Sequence, residues 1–433
     1  MKLKILIYFI MAISLNAQGL LFNDIIKNIS LGDSNSTFES GIGDWQIAGN
    51  GRLTNEDSTL SYVNFPFLFA HVNTTNNPSI VVQGTGTLRV NWGDGSDTVY
   101  TLTSSDQTIT HTYSSAVDTV IKFYGNLTKF STTSSMAWSF DLEDLSAFSN
   151  LYYFIISGTN TIFGNLSWLS KLSNLYYIYI TGSNTITGNL SSLSGLSSLY
   201  YFIISGTNTI TGNISALSNL SSLYYFSISG TNTITGNLSS LSGLSNLYFC
   251  QITGTNTITG NLSSLSGLSG LYYFIISSTN TITGNISALS NLSNLYYFSI
   301  SGTNTITGNL SSLSGLSGLY YFIIFGSNTI TGNLSSLSGL SNLYYLLIFG
   351  SNTISDFTDG ALSFNNINYF RVNAATNGLS STEVDNLLIR LAALTWSGSS
   401  RTLLLNGGNA ARTSASDAAV ATLTANGVSV TTN

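Results

Sequence analysis

The sequence predicts a mainly β solenoid of about eleven 24-residue coils, preceded by a β-sandwich module and closed by a small α/β segment, and three observations carry this. One motif is written nine times, with leading leucines at Leu151, Leu175, Leu199, Leu223, Leu247, Leu271, Leu295, Leu319 and Leu343, always 24 residues apart. A step this strict marks stacked units, each too small to bury its own apolar side chains until its neighbours cover them. The frame also runs on in both directions. Leu127, Phe130, Leu142, Leu145 and Phe148 fill the apolar slots of a degenerate coil ending at Asn150, and Ile367, Phe370 and Val372 begin another. Finally, between Leu151 and Asn342 the single Lys, Arg, Asp or Glu is Lys171, in a chain with 7% charged residues.

That poverty of charge excludes function classes. Nucleic-acid binding needs clustered Lys and Arg against phosphates, and the array has none. Acid/base or metal chemistry needs carboxylates, imidazoles or thiolates. The expectation is therefore no enzyme, no catalytic residue, no cofactor and no metal. The net charge of −6 gathers towards the ends, at Glu143, Asp144, Glu383, Asp385, Arg390, Arg401 and Arg412, and reads as solubility. Cys250 is the lone cysteine, so no disulfide framework exists. It occupies a slot that is Phe in most copies and is expected to act as a small buried hydrophobe.

The elements follow in chain order. Residues 1–17 read as a signal peptide: Met1-Lys-Leu-Lys4 is basic, Ile5 to Leu15 is apolar but too short to span a bilayer, and Asn16-Ala-Gln18 supplies a small-residue cleavage site. The expected location is secreted or on the cell surface, with no membrane span. The alternative is an N-terminal strand retained in a cytosolic or virion protein. Residues 18–75 form an N-terminal β-rich segment of unknown type. Within it, Phe38-Glu-Ser-Gly-Ile-Gly-Asp-Trp45 resembles the opening of jelly-roll carbohydrate-binding modules, and no function is assigned to it.

Residues 76–126 alternate or cluster β-branched and aromatic residues between Gly, Ser and Asp turns, as in Thr87-Leu-Arg-Val-Asn-Trp92 and Asp97-Thr-Val-Tyr-Thr-Leu102. Trp92-Gly-Asp-Gly-Ser96 followed by His111-Thr-Tyr113 resembles the PKD-like β-sandwich of bacterial surface proteins. The resemblance implies a tight Gly-Asp-Gly turn, core roles for the Trp and Tyr, and a core or edge place for His111 instead of a ligating one.

In residues 127–374, with each leading leucine as slot 1, the apolar slots are 1, 4, 6, 12, 16, 19 and 22. Slots 1, 4 and 6 give a strand with alternate side chains inward. Slots 16, 19 and 22 give Leu-x-x-Leu-x-x-Leu among Ser and Gly, suited to 3₁₀ or extended turns. Asn at slot 10, from Asn160 to Asn352, is expected inward, pairing backbone groups of the bend that would otherwise be buried alone. This pattern resembles the leucine-rich repeat of the 24-residue sort, in which Asn-x-Ile-Thr-Gly-x-Leu follows the strand, and the resemblance covers over half the chain. It departs from that family in one extra residue before the Asn and in the missing Pro after slot 16, which leaves a nearly straight solenoid open. At about 4.8 Å per coil, eleven coils make a rod some 50 Å long.

In residues 375–433, Ser380-Ser-Thr-Glu383 is a capping box opening the amphipathic helix Val384 to Leu394. Thr402 to Leu405 reads as a strand, Ala415 to Ala425 as a helix and Val428 to Val430 as a strand. This tail resembles the C-terminal cap of bacterial and phage leucine-rich-repeat proteins, which implies that it hides the last coil's apolar face.

Slots 3, 5 and 7 should point outward. Slot 3 holds Tyr153, Tyr177, Tyr201, Tyr225, Phe249, Tyr273, Tyr297, Tyr321 and Tyr345, and slot 7 turns from Ser/Thr to Phe325 and Phe349. These eleven residues are the candidate ligand-binding set: an uncharged aromatic face suits sugar rings or a protein partner. A tyrosine ladder is also good cross-coil packing in itself. Ile323, Phe325, Leu347 and Phe349 make the strongest single contact patch. Slots 9, 11 and 13 rank threonines in parallel files, resembling ice-binding solenoids, some of which in plants are leucine-rich repeats; the simpler reading is that Thr is a good polar strand or bend residue on a solvated face.

As a whole the chain resembles a bacterial secreted leucine-rich-repeat surface protein. That implies a non-enzymatic recognition or adhesion rod that binds a protein or glycan on a cell surface, with lateral self-association open. A phage tail or receptor-binding fibre and an ice-binding protein are the alternatives.

Overall fold

The computed structural model describes residues 37–40, 43–47, 53–55, 68–74, 77–132, 138–355, 362, 364, 366–374 and 378–433; the expected leader, residues 1–17, lies outside them. The chain divides into residues 1–65 and residues 66–433. In the first unit, β1 (Thr37–Ser40), β2 (Gly43–Ile47) and β3 (Leu53–Asn55) form an antiparallel sheet, with Phe38 opposite Trp45.

The second unit opens with an antiparallel sheet of β4 (Leu68–Thr74), β5 (Ser79–Asn91), β6 (Asp97–Thr101), β7 (Gln107–Thr110) and β8 (Val117–Thr132). Alternation decides what it buries: Ile80, Val82, Leu88 and Val90 of β5 point inward. Between β5 and β6 the chain reverses through Gly93 and Gly95, at φ 80° and 91°, a left-handed backbone that glycine adopts freely. Trp92 is fully buried there. The Tyr113 hydroxyl donates to the Trp92 carbonyl at 2.8 Å, and His111 stacks on the Trp92 ring at 4.7 Å while bonding Asp94 at 2.7 Å. His111 thus stands at the module's edge as a packing and hydrogen-bonding residue.

β8 joins module to solenoid without a linker. Its first half pairs antiparallel with β4, and its end pairs parallel with the first strand of the array, Lys129 opposite Tyr153 and Phe130 opposite Phe154. The rings of Phe123, Phe130, Trp138 and Phe154 continue one core across the junction.

Each repeat is a strand crossing a bend, followed by a short 3₁₀ turn, as in Tyr201–Asn213 and Ile214–Leu217. Leucines every third residue match the three residues per turn of a 3₁₀ helix, so they line up on one face. Leu193, Leu196 and Leu199 are fully buried, and the N–H of Leu196 and of Leu199 closes onto the carbonyl three residues back at 2.9 Å. The Asn at slot 15 caps this turn, as Asn213 accepting from Ser215 N–H at 2.9 Å. Asp141 takes the same place in the degenerate coil, accepting from Glu143 N–H.

The slot 10 asparagines from Asn184 to Asn352 are fully buried; the Asn160 side chain lies outside the described set. Each of these eight side-chain oxygens accepts from the slot 12 Ile N–H of the preceding coil at 2.9–3.0 Å. Six side-chain amides donate to the slot 7 carbonyl of the following coil at 2.9–3.3 Å. One residue therefore ties three coils, and the expected inward amide is present. The amides of Asn256 and Asn352 lack that partner. Asn352 ends the ladder. Beyond Asn256 stands Ser278 at φ 115°, where the other described repeats place a left-handed Gly, so the bend that should present the carbonyl is altered.

One expectation is corrected here. Slots 9, 11 and 13 were expected as parallel files down the rod. Before the bend, neighbours pair 24 residues apart, as Tyr177 with Tyr201; beyond it they pair 22 apart, as Asn184 with Gly206 and Thr187 with Thr209. The left-handed glycine turn sets the second strand segment two residues out of step. A slot 13 threonine consequently lies beside a slot 11 threonine, and the rows run obliquely.

After the ninth copy the sheet continues in parallel through Tyr369–Ala374, Thr402–Leu405 and Ser429–Thr432. Helix α1 (Ser381–Ala392) opens with the capping box: the Ser380 hydroxyl accepts from Glu383 N–H and the Glu383 carboxylate from Ser380 N–H. Its Val384, Leu387, Leu388 and Leu391 are buried. Helix α2 (Asp417–Ala425) is preceded by a 3₁₀ turn whose Ser416 hydroxyl donates to buried Asp385 at 2.5 Å.

Candidate functional site

The strand presents slot 3 outward, as alternation requires. From Tyr153 to Tyr345 and on to Tyr369, these half-buried rings follow one another at 4.0–6.1 Å with tilts of 5–46°. Most of each ring face is therefore occupied by the next ring, and the edges and hydroxyls are what solvent meets. This limits the stacking of sugars on ring faces. Burial is the main cause raising the phenol pKa at Tyr177, Tyr201, Tyr225, Tyr273, Tyr297 and Tyr321, and at Tyr345 it reaches about 12. The face stays uncharged across ordinary pH.

Its ends differ from its middle. Lys129, paired with Asp106, lies 5.8 Å from the Tyr153 ring. At the other end Arg371 lies 5.6 Å over the Phe349 ring, and Phe325 and Phe349 sit 5.9 Å apart. Phe349 is 38% exposed. Leu347, expected outward at slot 5, is only 4% exposed between Ile323 and Arg371, so it drops out of the contact patch.

A second aromatic file was not anticipated. Slot 2 is Tyr in all nine copies, from Tyr152 to Tyr344, and these rings stack almost parallel, 4.7–5.0 Å apart with tilts of 4–10°. Slot 2 precedes the strand, where the chain leaves its 3₁₀ turns, so strand alternation says nothing about it. Its recurrence without exception, against the Phe249 that interrupts slot 3, was the available signal.

The threonine face is the most exposed part of each strand, as at Thr207, Thr209 and Thr211. Slot 13 hydroxyls donate to the slot 14 Gly carbonyl of the preceding coil at 3.2–3.4 Å, and slot 9 hydroxyls to the slot 10 Asn carbonyl at 3.1–3.3 Å. These bonds fix the side chains between coils. Cys250 is fully buried, which pushes its thiol up to about 12 and keeps it protonated. Among the described residues, no group of three His, Cys, Asp or Glu could hold a metal, and no helix is long and apolar enough to cross a membrane.

No family model matches the sequence, and no curated protein does. Several solved structures are similar in part. The leucine-rich-repeat ectodomain of a plant membrane receptor kinase from Arabidopsis thaliana is 22% identical, matched over 62% of this chain and 31% of its own, with a TM-score of 0.47. An internalin from Listeria monocytogenes is 25% identical over 71% of this chain and 86% of its own, with a TM-score of 0.45. A leucine-rich-repeat protein of Leptospira interrogans is 14% identical over 67% of this chain and 80% of its own, with a TM-score of 0.37. The chain thus spans less than a third of the plant ectodomain and most of the two bacterial proteins.

Proposed function

We propose that this chain is a non-enzymatic recognition or adhesion rod, acting outside the cell and holding a protein or glycan partner on its slot 3 face. The observation that carries this is the uncharged aromatic file over nine consecutive coils, ending in the exposed Phe349 beside Phe325. Ring edges and hydroxyls held rigid by their neighbours give a broad contact area that loses little entropy on binding, and this suits a protein surface best. Repetition at fixed spacing adds multivalency against a repetitive partner. The basic and apolar leader supports export. The buried Trp92, the double-glycine turn and the Tyr113 bond support the PKD-like reading of residues 76–126. The α/β tail serves as a cap: its strands occupy the edge that the last coil would otherwise expose.

A surface-protein and glycan array probed with wild type and with Tyr-to-Ser changes at Tyr201, Tyr225 and Tyr273 tests the site. Captured ligands should be lost in the variants; capture at wild-type strength removes this face. Sequencing the N-terminus of the exported product separates a cleaved leader from a retained virion segment. The pinned threonine hydroxyls favour one further reading, ice binding, for which a concentrated sample without thermal hysteresis is decisive against.

A further inference from the structure

The slot 2 file is more than packing at one place. Tyr200, Tyr224, Tyr248 and Tyr272 floor a groove of about 620 Å³ rimmed by the side-chain amides of Asn246 and Asn294. Gly270 stands between those two amides at slot 24 and leaves the rim open there. Each rim amide donates to a serine carbonyl of the preceding coil, Asn246 to Ser221 at 2.9 Å and Asn294 to Ser269 at 3.1 Å, which leaves its side-chain oxygen available as an acceptor. The floor rings are 5.0, 4.9 and 5.0 Å apart and nearly parallel, so they cover one another's faces and offer edges and hydroxyls in a row.

We infer that this groove binds an uncharged, extended β-linked polysaccharide lying along the solenoid axis, one sugar unit per coil. Three features select that ligand. No ionisable side chain other than the phenols lines the groove, so nothing here rewards a polyanion or a charged peptide. An extended peptide advances about 3.3 Å per residue and falls out of step with rings about 5 Å apart within two units. A β-linked pyranose chain advances by nearly the ring spacing, so its hydroxyls meet a phenol at each coil and an amide oxygen at Asn246 and Asn294. The groove adjoins the slot 3 face, with the Tyr201 ring 5.1 Å from Tyr200 and 5.9 Å from Tyr224, so the two readings are told apart at Gly270, which belongs to the groove alone.

The test is affinity electrophoresis of the full chain in soluble β-1,4-glucan, β-1,4-xylan or β-1,4-mannan, with alginate as the polyanionic control. Wild type should be retarded by at least one neutral chain. Retardation should resist salt and be outcompeted by oligosaccharides more strongly as they lengthen from two to four units. Gly270→Asn closes the rim without strain, since a Cβ there comes no nearer than 3.7 Å to other atoms and Asn already occupies the slot in the flanking coils. It should weaken binding at least tenfold. The triple change to Phe at Tyr224, Tyr248 and Tyr272 keeps the ring stack, removes the hydroxyls and should do the same. Thr257→Ser, on the exposed threonine face away from the groove lining, should bind as wild type. The inference is overturned if no neutral chain retards the protein, if alginate retards it equally, if Gly270→Asn and the Phe variant bind normally, or if Gly270→Asn abolishes capture of a protein while no glycan is bound.

Discussion

The repeat array and the segments flanking it hold together by different means. In the array a few neutral contacts recur from coil to coil: a slot 10 amide to both neighbours at six positions, a slot 15 amide capping a turn, leucines every third residue. In the flanks each contact is particular and several are ionic, as with Arg89 and Asp97, Lys129 and Asp106, or Arg412 and Asp417. The lesson is that repetition removes the need for charge: when each buried polar group finds its partner one coil away, no ion pair has to specify the arrangement.

The strongest way to break this contrast is to remove one shared bond from the middle. Asn280→Ala leaves the buried Ile258 N–H and Ser301 carbonyl without partners and opens a void, which should cost about 3 kcal/mol. Asn352→Ala, at a site already missing one bond, should cost clearly less. Equal losses in denaturant melts would show that the ladder is not what couples the coils. Next in size is Gly230→Ala. The residue sits at φ 135°, and a Cβ would come within 2.8 Å of the Asn208 backbone, so a loss of about 2 kcal/mol is expected in the same melts.

Acidity sharpens the comparison further. Asp94 is held at about 2, first by the Ser96 hydroxyl. Folding favours its ionised form, so its contribution is whole above about pH 4 and fades as pH falls towards 2. Asp144 is pushed up to about 7, first by burial and then by Asp141. Folding favours its protonated form, so its contribution is whole below about pH 4 and lost as pH rises through 7. Asp144→Asn should therefore raise the melting temperature at about pH 8 and leave it unchanged near pH 4. An equal shift at both values would refute this. The neutral array should hardly respond between those values in amide exchange. The smallest effect is a gain: Ser278→Gly relieves the left-handed serine, lets Asn256 find its carbonyl, and should stabilise by about 1 kcal/mol, seen as slower exchange in the two coils.

The buried slots, the 3₁₀ turns, the inward Asn and the capping box at Ser380 were legible because each follows from a local period or a single turn. The oblique threonine rows were not, because the two-residue stagger arises only when a left-handed bend is stacked on its copy. The slot 15 caps and the slot 2 rings were also missed. Both lie where strand passes into turn, and neither periodicity applies there. Slot 3 could be placed on the outside, but that its rings cover one another depends on spacing between coils, which sequence alone does not give.

Asn208 stands to Ile186 and Ser229 as Asn232 stands to Ile210 and Thr253. Excising a whole unit between two such positions rejoins groups that already fit, and inserting one does the same. Unequal crossing-over among these near-identical copies would thus yield rods of altered reach with both ends intact, making length itself a heritable and adjustable trait of this molecule.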